Sequence, residues 1–160
     1  MIKVLFVCLG NICRSPMAEA ILKHKVAAGP LRGRVKVDSA GTGDWHEGQL
    51  PNPRTRKVCS VNGITANSLA RQVNSLDFRD FDLIIAMDRK NHRDLLAWPG
   101  SVSEKVHLMR DWLGEPETDV PDPYYGNESD FEHCFDLLSR SCDALYADLM
   151  SRFTTDPGTM

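Results

Sequence analysis

The sequence predicts an α/β fold, a three-layer sandwich in which a four-stranded parallel sheet is flanked by helices on both faces. Two observations support this prediction. Four short apolar runs have the length of buried strands, and the segments between them space their apolar residues as helices do. Strands that alternate with helices pair in parallel, and their crossovers put helices on both faces of the sheet. The predicted strands are residues 2–7, 35–38, 83–87 and 106–109.

The helices are predicted from the residues that begin them. Serine and asparagine side chains cap free N–H groups, and proline is tolerated in the first turn, as in Ser15-Pro16 and again in Asn52-Pro53. Residues 91–98 have a helical pattern, and residues 129–132 (SDFE) have the spacing of a capping box that opens the last helix. Apolar residues recur at helical spacing after this box, so we expect the last helix to pack along the sheet.

The chain has 160 residues, which fits one domain over residues 1–153 with a core that needs no disulfide or metal. Residues 154–160 are expected to be a disordered tail. No apolar run approaches the ~20 residues of a membrane span, so we expect no membrane association. The net charge of −3 gives no case for a nucleic-acid partner. A monomer is expected.

The number and spacing of the cysteines and histidines indicate the cellular compartment of the protein and whether it binds a metal. The five cysteines are an odd number and form no CxxC pair, which argues against a secreted disulfide framework and a zinc site. No two histidines fall three to five residues apart. We therefore expect a cytoplasmic protein without a metal.

The charges are unevenly spread along the chain. Residues 1–60 hold ten Lys and Arg against four Asp and Glu, whereas residues 111–148 hold eleven acidic residues and Arg140 as the one base. A basic half around a binding site would attract an anionic substrate. The same composition also fits two solvated faces of opposite charge.

The first predicted strand runs directly into the loop CLGNICRS, residues 8–15, and then into the first helix. A loop that closes on a helix N-terminus aims several backbone N–H groups at one point, where the helix dipole adds positive charge. Gly10 and Asn11 suit such a loop, because glycine and asparagine accept left-handed backbone angles. The loop from Leu9 to Ser15 is therefore a predicted anion cradle.

Two side chains of this loop predict the chemistry. The N–H groups, the dipole and Arg14 all favour the thiolate of Cys8, which makes it a candidate nucleophile. Arg14 can offer a planar fork of donors to two phosphoryl oxygens. The alternative for Cys8 is a buried structural cysteine at a strand end. The arginine six residues later, the preceding strand and the helix start favour the nucleophile.

Residues 7–20 (VCLGNICRSPMAEA) resemble the signature of low-molecular-weight protein tyrosine phosphatases. A second family motif is present at residues 122–126 (DPYYG), and residues 38–42 (DSAGT) resemble the family's second strand and loop. The resemblance extends through the last helix. It implies the strand order 2-1-3-4, hydrolysis of phosphotyrosine in protein substrates through a cysteinyl-phosphate, and no cofactor.

The resemblance also implies roles for individual residues. Asp122 is the expected general acid, since expelling a tyrosyl oxygen requires a proton donor opposite the nucleophile. Asp-Pro also commonly starts a turn, which is the alternative for Asp122. Ser15 is expected to hydrogen-bond the thiolate, and Ser39 to pair with Asn11. The remaining expected roles are walls of the substrate pocket (Trp45, Tyr124 and Tyr125), phosphate binding by the loop (Leu9, Gly10, Asn11, Ile12, Cys13, Arg14 and Ser15), and a reversible disulfide with Cys8 (Cys13).

Three alternative functions share this scaffold. An arsenate reductase needs a further pair of redox cysteines after the third strand, and residues 83–109 contain no cysteine. A non-catalytic phosphopeptide-binding module would lack the nucleophile or the acid, whereas Cys8 and Asp122 are both present. A phosphoarginine phosphatase of the same family carries threonine where this chain has Ile12, so the isoleucine favours phosphotyrosine.

Overall fold

A four-stranded parallel sheet forms the centre of the fold in the strand order β2-β1-β3-β4. The structure is a computed structural model and describes residues 1–154. The strands are β1 (Ile2–Cys8), β2 (Val35–Gly41), β3 (Leu83–Ala86) and β4 (Val106–Leu108). The predicted class, strand number and order are confirmed. β2 continues three residues past its predicted end, because Ser39, Ala40 and Gly41 stay in register with the last residues of β1.

Helices cover both faces of the sheet. Within residues 1–154 they are α1 (Arg14–Ala27), α2 (Pro53–Val61), α3 (Asp77–Asp80), α4 (Arg89–Leu96) and α5 (Glu128–Thr154), with short 3₁₀ helices at Ser103–Lys105 and Met109–Leu113. None of these helices combines the length and the apolar composition that crossing a membrane requires. Residues 155–160, most of the predicted tail, lie outside the described residues, whereas Thr154 ends α5.

The alternation of side chains along β1 creates two hydrophobic cores. Val4 and Phe6 face a cluster that includes residues of α1, α2 and α5. Leu5 and Val7 face the opposite side, where residues of α3 and α4 complete a second cluster. All four of these β1 side chains are inaccessible to solvent. Burial on both faces explains why β1 reads as a continuous apolar run rather than an alternating one.

Ser15 does not cap α1, so this part of the prediction is wrong. The helix begins at Arg14 after Cys13, whose side chain makes no capping hydrogen bond. The Ser15 hydroxyl contacts the Cys8 thiol and the Asn11 amide instead. The cap of α2 agrees with the prediction, since the Asn52 side chain accepts a hydrogen bond from the Arg54 backbone N–H at 2.9 Å.

The capping box of α5 lies two residues before the predicted one. The Asn127 side chain accepts a hydrogen bond from the Asp130 backbone N–H at 3.2 Å, and the Asp130 carboxylate accepts one from the Asn127 N–H at 2.8 Å. Ser129, the predicted cap, donates its hydroxyl to the Asn127 side-chain oxygen at 2.6 Å. The sequence offers both pairs at the same spacing, and the backbone entering the helix selects the earlier one.

Replacing the observed cap should therefore cost more than replacing the predicted one. We expect Asn127→Ala to lower the free energy of unfolding by about 1 kcal/mol, because the first turn of α5 loses its acceptor. Ser129→Ala, the matched control, should change it by less than about 0.5 kcal/mol. Urea unfolding followed by circular dichroism measures both variants. A larger loss for Ser129→Ala would contradict the assigned cap.

Candidate active site

The loop between β1 and α1 lies at the carboxyl edge of the sheet. β1 is central, with β2 on one side and β3 on the other, so the connections after β1 and β3 diverge at this edge. Such a point in an open α/β sheet leaves a crevice where ligands bind. The loop opens into a cavity of about 230 Å³ at this position.

The cavity brings together most of the predicted site residues. Its lining comes from the loop (Cys8, Leu9, Gly10, Ile12, Cys13 and Arg14), from the segment after β2 (Trp45 and His46) and from the segment before α5 (Asp122, Tyr124 and Tyr125). Asn11, Ser15 and Ser39 are buried behind this surface. Of the ten basic residues among residues 1–60, Arg14 alone lines the cavity, so its positive charge comes from one side chain and the loop amides.

Hydrogen bonds behind the cavity hold the Cys8 thiol. Its sulfur lies 3.0 Å from the Ser15 hydroxyl oxygen. The Asn11 side-chain amide donates to the hydroxyls of Ser15 at 2.8 Å and Ser39 at 2.9 Å. Ser39 in turn donates its hydroxyl to the buried carboxylate of Glu19 on α1. This chain of neutral donors ties the loop to β2 and α1, so the thiol has one fixed position.

The backbone of the loop matches the prediction for Asn11 and not for Gly10. Asn11 has a positive φ of 57°, and its side-chain oxygen accepts a hydrogen bond from the Arg71 backbone N–H at 3.0 Å. Gly10 is not among the residues with positive φ. A Cβ atom at Gly10 would lie 2.9 Å from Cδ2 of His46, so a larger residue there would displace the His46 ring.

Arg14 is buried with its guanidinium fixed by three acceptors. Nη1 donates to Asp88 Oδ2 at 2.8 Å and to the Val120 carbonyl at 2.9 Å, and Nη2 lies 3.5 Å from Asp122 Oδ2. Its side chain is 2% exposed. Burial alone would lower the pKa of Arg14, but the charges of Cys8, Asp122 and Asp88 raise it above its ordinary value. The guanidinium is a permanent cation that cannot swing away.

Asp122 lies at the mouth of the cavity. Its side chain is 42% exposed, and Oδ1 accepts a hydrogen bond from the Tyr124 backbone N–H at 3.1 Å. The residue therefore starts a turn and also contacts Arg14. The segment is held at both ends, because the Val120 N–H donates to the Met87 carbonyl at 2.8 Å and Arg54 donates to the Gly126 carbonyl. These anchors keep the carboxylate over the loop.

Aromatic rings surround the opening of the cavity. Tyr124 and Tyr125 meet edge to face at a centroid distance of 4.7 Å. His46 stands between Trp45 at 6.1 Å and Tyr124 at 6.4 Å. Trp45 is 59% exposed and Tyr125 is 96% exposed. A flat aromatic group could enter between these rings while an attached anion reached the loop.

Comparison with known proteins identifies the family. The family model described as low molecular weight phosphotyrosine protein phosphatase matches residues 3–154. The chain belongs to this family. The low molecular weight protein-tyrosine-phosphatase YfkJ of Bacillus subtilis is 46% identical over 154 residues, covering 93% of this chain and 96% of that protein. The low molecular weight phosphotyrosine protein phosphatase of Gallus gallus is 41% identical over 144 residues, covering 88% and 91%.

A solved structure agrees with this assignment to the phosphatase family. A protein tyrosine phosphatase from Entamoeba histolytica has a TM-score of 0.88 to this chain at 43% identity, covering 94% of this chain and 98% of that chain. The resemblance inferred from the motifs at residues 7–20 and 122–126 is thereby confirmed. The roles of the individual residues in this family member stay predictions.

Cys13 is the second loop cysteine of this family member. Burial raises the pKa of Cys13 to about 12, and the charges of Cys8 and Asp122 act in the same direction. Its thiol therefore stays protonated at neutral pH.

Within residues 1–154 all five cysteines are free and buried, and no three His, Cys, Asp or Glu side chains are grouped so that they could hold a metal ion. The disulfide with Cys8 stays a prediction.

Three residues at the site were missed from the sequence. Asp88, which is half-buried, and Glu19, which is buried, are partners of predicted residues, and His46 lines the cavity. Asp88 is 74 positions from Arg14, and Glu19 is 20 positions from Ser39, so no local pattern indicates either contact. His46 had one available signal, since it follows the predicted wall residue Trp45 directly.

We expect Asp88→Asn to impair the site more than the fold. In the wild type, Asp88 Oδ1 accepts a hydrogen bond from the Asn91 N–H at 2.7 Å. Asparagine keeps an oxygen that can accept this bond, but it loses the negative charge that pairs with Arg14. A misplaced guanidinium should lower kcat/KM on an aryl phosphate by about a hundredfold. The lost charged hydrogen bond should lower the free energy of unfolding by about 2 kcal/mol.

Asp119→Asn is the matched control for this variant. Asp119 also pairs with an arginine, Arg89 at 3.1 Å, and also accepts a backbone N–H, but its side chain is 39% exposed and lies outside the cavity lining. We expect its kcat/KM to stay near the wild-type value. Equal losses in the two variants would contradict a specific role for Asp88.

Proposed function

We propose that this protein is a low molecular weight protein tyrosine phosphatase, which hydrolyses phosphotyrosine through a cysteinyl-phosphate on Cys8. One observation carries the proposal beyond family membership. The thiol of Cys8, the cation of Arg14 and the carboxylate of Asp122 all line one cavity of about 230 Å³. A nucleophile, an anion-binding group and a proton donor are the groups that hydrolysis of a phosphate ester through a covalent enzyme intermediate uses.

In the first step the Cys8 thiolate attacks phosphorus in line with the tyrosyl oxygen. A sulfur–phosphorus bond forms as the phosphorus–oxygen bond breaks, so the electron pair leaves with the tyrosyl oxygen. The loop amides and the guanidinium of Arg14 hold the equatorial oxygens, which carry the most charge as the phosphoryl group flattens. Since Arg14 is fixed by Asp88 and Val120, it needs no reorganisation during the step.

Asp122 then serves both steps. Its carboxyl donates a proton to the departing tyrosyl oxygen, and the resulting carboxylate takes a proton from the water that attacks the cysteinyl-phosphate. The sulfur–phosphorus bond breaks, inorganic phosphate leaves, and the Cys8 thiolate is regenerated. No electrons are transferred, so protons and electron pairs balance over the cycle. Its 42% exposure gives Asp122 access to water for the second step.

The walls of the cavity support an aryl phosphate as the substrate. Trp45, Tyr124 and Tyr125 would contact the tyrosyl ring, and Ile12 adds an apolar side chain at the loop. Ile12 offers no polar group for the guanidino nitrogens of phosphoarginine, which favours phosphotyrosine over that alternative. The exposed rim would let a phosphotyrosine of an intact protein reach the loop. We propose phosphotyrosine-containing proteins as the substrates.

The remaining cysteines argue against an arsenate reductase. Cys59 lies on α2, and Cys134 and Cys142 lie on α5. All three are buried, and burial raises the pKa of Cys134 and of Cys142 to about 12. Buried thiols that stay protonated are poor relays for a disulfide.

Free cysteines also suit the reducing cytoplasm, which we propose as the location of a monomeric enzyme.

The test is release of phenol from phenyl phosphate by the reduced protein in the presence of a metal chelator. We expect turnover in the wild type, loss of at least about a thousandfold in Cys8→Ser with retained phosphate binding, and slowed phenol release in Asp122→Ala. Asp136→Ala, which removes a carboxylate 67% exposed on α5, is the control and should behave as wild type.

Two outcomes would contradict the proposal. Normal activity of Cys8→Ser would exclude the cysteine mechanism. A wild-type protein that binds phosphate without turning over phenyl phosphate would instead be a phosphopeptide-binding module.

A further inference from the structure

A second groove, of about 430 Å³, lies beside the catalytic cavity. We call it the Trp98 groove. It is lined by the loop and the segment after β2 (Leu9, Thr42, Gly43 and Trp45) and by α4 and the residues after it (Asp94, Ala97, Trp98 and Pro99). Leu9 and Trp45 also line the catalytic cavity. The two spaces are therefore adjacent, and these two side chains form the wall between them.

The lining of the Trp98 groove is mostly apolar. Leu9, Ala97 and Pro99 present aliphatic surface between the two indole rings of Trp45 and Trp98. Among the lining residues within the described part of the chain, Asp94 is the one with a charged side chain. A groove without a cation and with one carboxylate would repel a second phosphate or an acidic side chain, and it would favour an apolar group.

The groove is held open by its surroundings. Trp98 packs against the core cluster beneath β3 and β4, so its ring is anchored from below. Trp45 lies directly over Gly43, where an added Cβ atom would fall 2.0 Å from the indole ring. One side of the indole ring therefore lies against the Gly43 backbone, while 59% of the Trp45 residue stays exposed. A site formed before the ligand arrives loses less entropy on binding.

We infer that the Trp98 groove binds an apolar side chain of the substrate polypeptide, close in sequence to the phosphotyrosine. The inference rests on the proposed function, because Leu9 and Trp45 separate the Trp98 groove from the cavity that would hold the phosphotyrosine, and a substrate chain that leaves the cavity on this side passes over the groove. An extended chain advances about 3.3–3.6 Å per residue, so the side chain that reaches the adjoining groove belongs to a residue within about three positions. The groove would thus select substrates by their flanking sequence.

The experiment compares phosphotyrosine peptides that differ at one flanking position. A set of peptides with leucine or alanine at each of the three positions on either side covers both directions of binding. At one position or more, we expect kcat/KM for leucine to exceed that for alanine by about tenfold in the wild type. Aspartate at the same position should be worse than alanine, because it would face Asp94.

A pair of neighbouring variants locates the effect. Ala97→Glu places a carboxylate in the groove and should reduce the leucine-to-alanine ratio to near one. Leu96→Glu makes the same change of charge at the adjacent residue, which is 41% exposed and outside the lining. It should keep the wild-type ratio. Because the readout is a ratio between peptides, a general loss of activity cancels from it.

Three outcomes would overturn the inference. A wild-type ratio near one at every position, in a protein that hydrolyses phenyl phosphate, would remove the groove's role and leave the proposed function intact. A wild type inactive on phenyl phosphate would instead refute the proposed function, and the inference with it. Unchanged peptide ratios in Ala97→Glu would place the effect of the flanking residue outside the Trp98 groove.

Discussion

The buried guanidinium of Arg14 ties three separate parts of the chain to one point. Arg14 is the first residue of α1. Its guanidinium contacts Asp88 at the start of α4, the carbonyl of Val120 and the carboxylate of Asp122. A charge removed from water is tolerated only when its partners are close and its donors are satisfied. The need to pair this one cation therefore brings the end of β3 and the segment before α5 onto the loop.

A second hydrogen-bonded system, whose donors are neutral side chains, holds the other side of the loop. It runs from the Cys8 thiol through Ser15, Asn11 and Ser39 to the carboxylate of Glu19. Hydrogen-bonded chains of this kind rigidify a buried site when every member is satisfied. The nucleophile and the cation are thus fixed by independent networks on opposite sides of one short loop.

Sequence reasoning succeeded where the signal is local. The apolar runs marked all four strands, and the motif around Cys8 and Arg14 identified the loop. It failed where two local answers compete: the Ser15 hydroxyl can cap a helix or contact a thiol, and α5 can be capped by Asn127 or Ser129. It could not find Asp88, since a contact across 74 positions depends on the strand order and on the burial of Arg14.

The most direct test is to trap the phosphorylated enzyme. The protein is mixed with an aryl phosphate, quenched in acid within milliseconds, digested and analysed by mass spectrometry for a phosphoryl group on the peptide that contains Cys8. We expect this adduct on Cys8 in the wild type and in the control Asp136→Ala, formed at least as fast as the enzyme turns over. It should be absent from Cys8→Ser. A phosphoryl group on another residue, or steady turnover without any adduct on a rapidly quenched sample, would contradict the central role of Cys8.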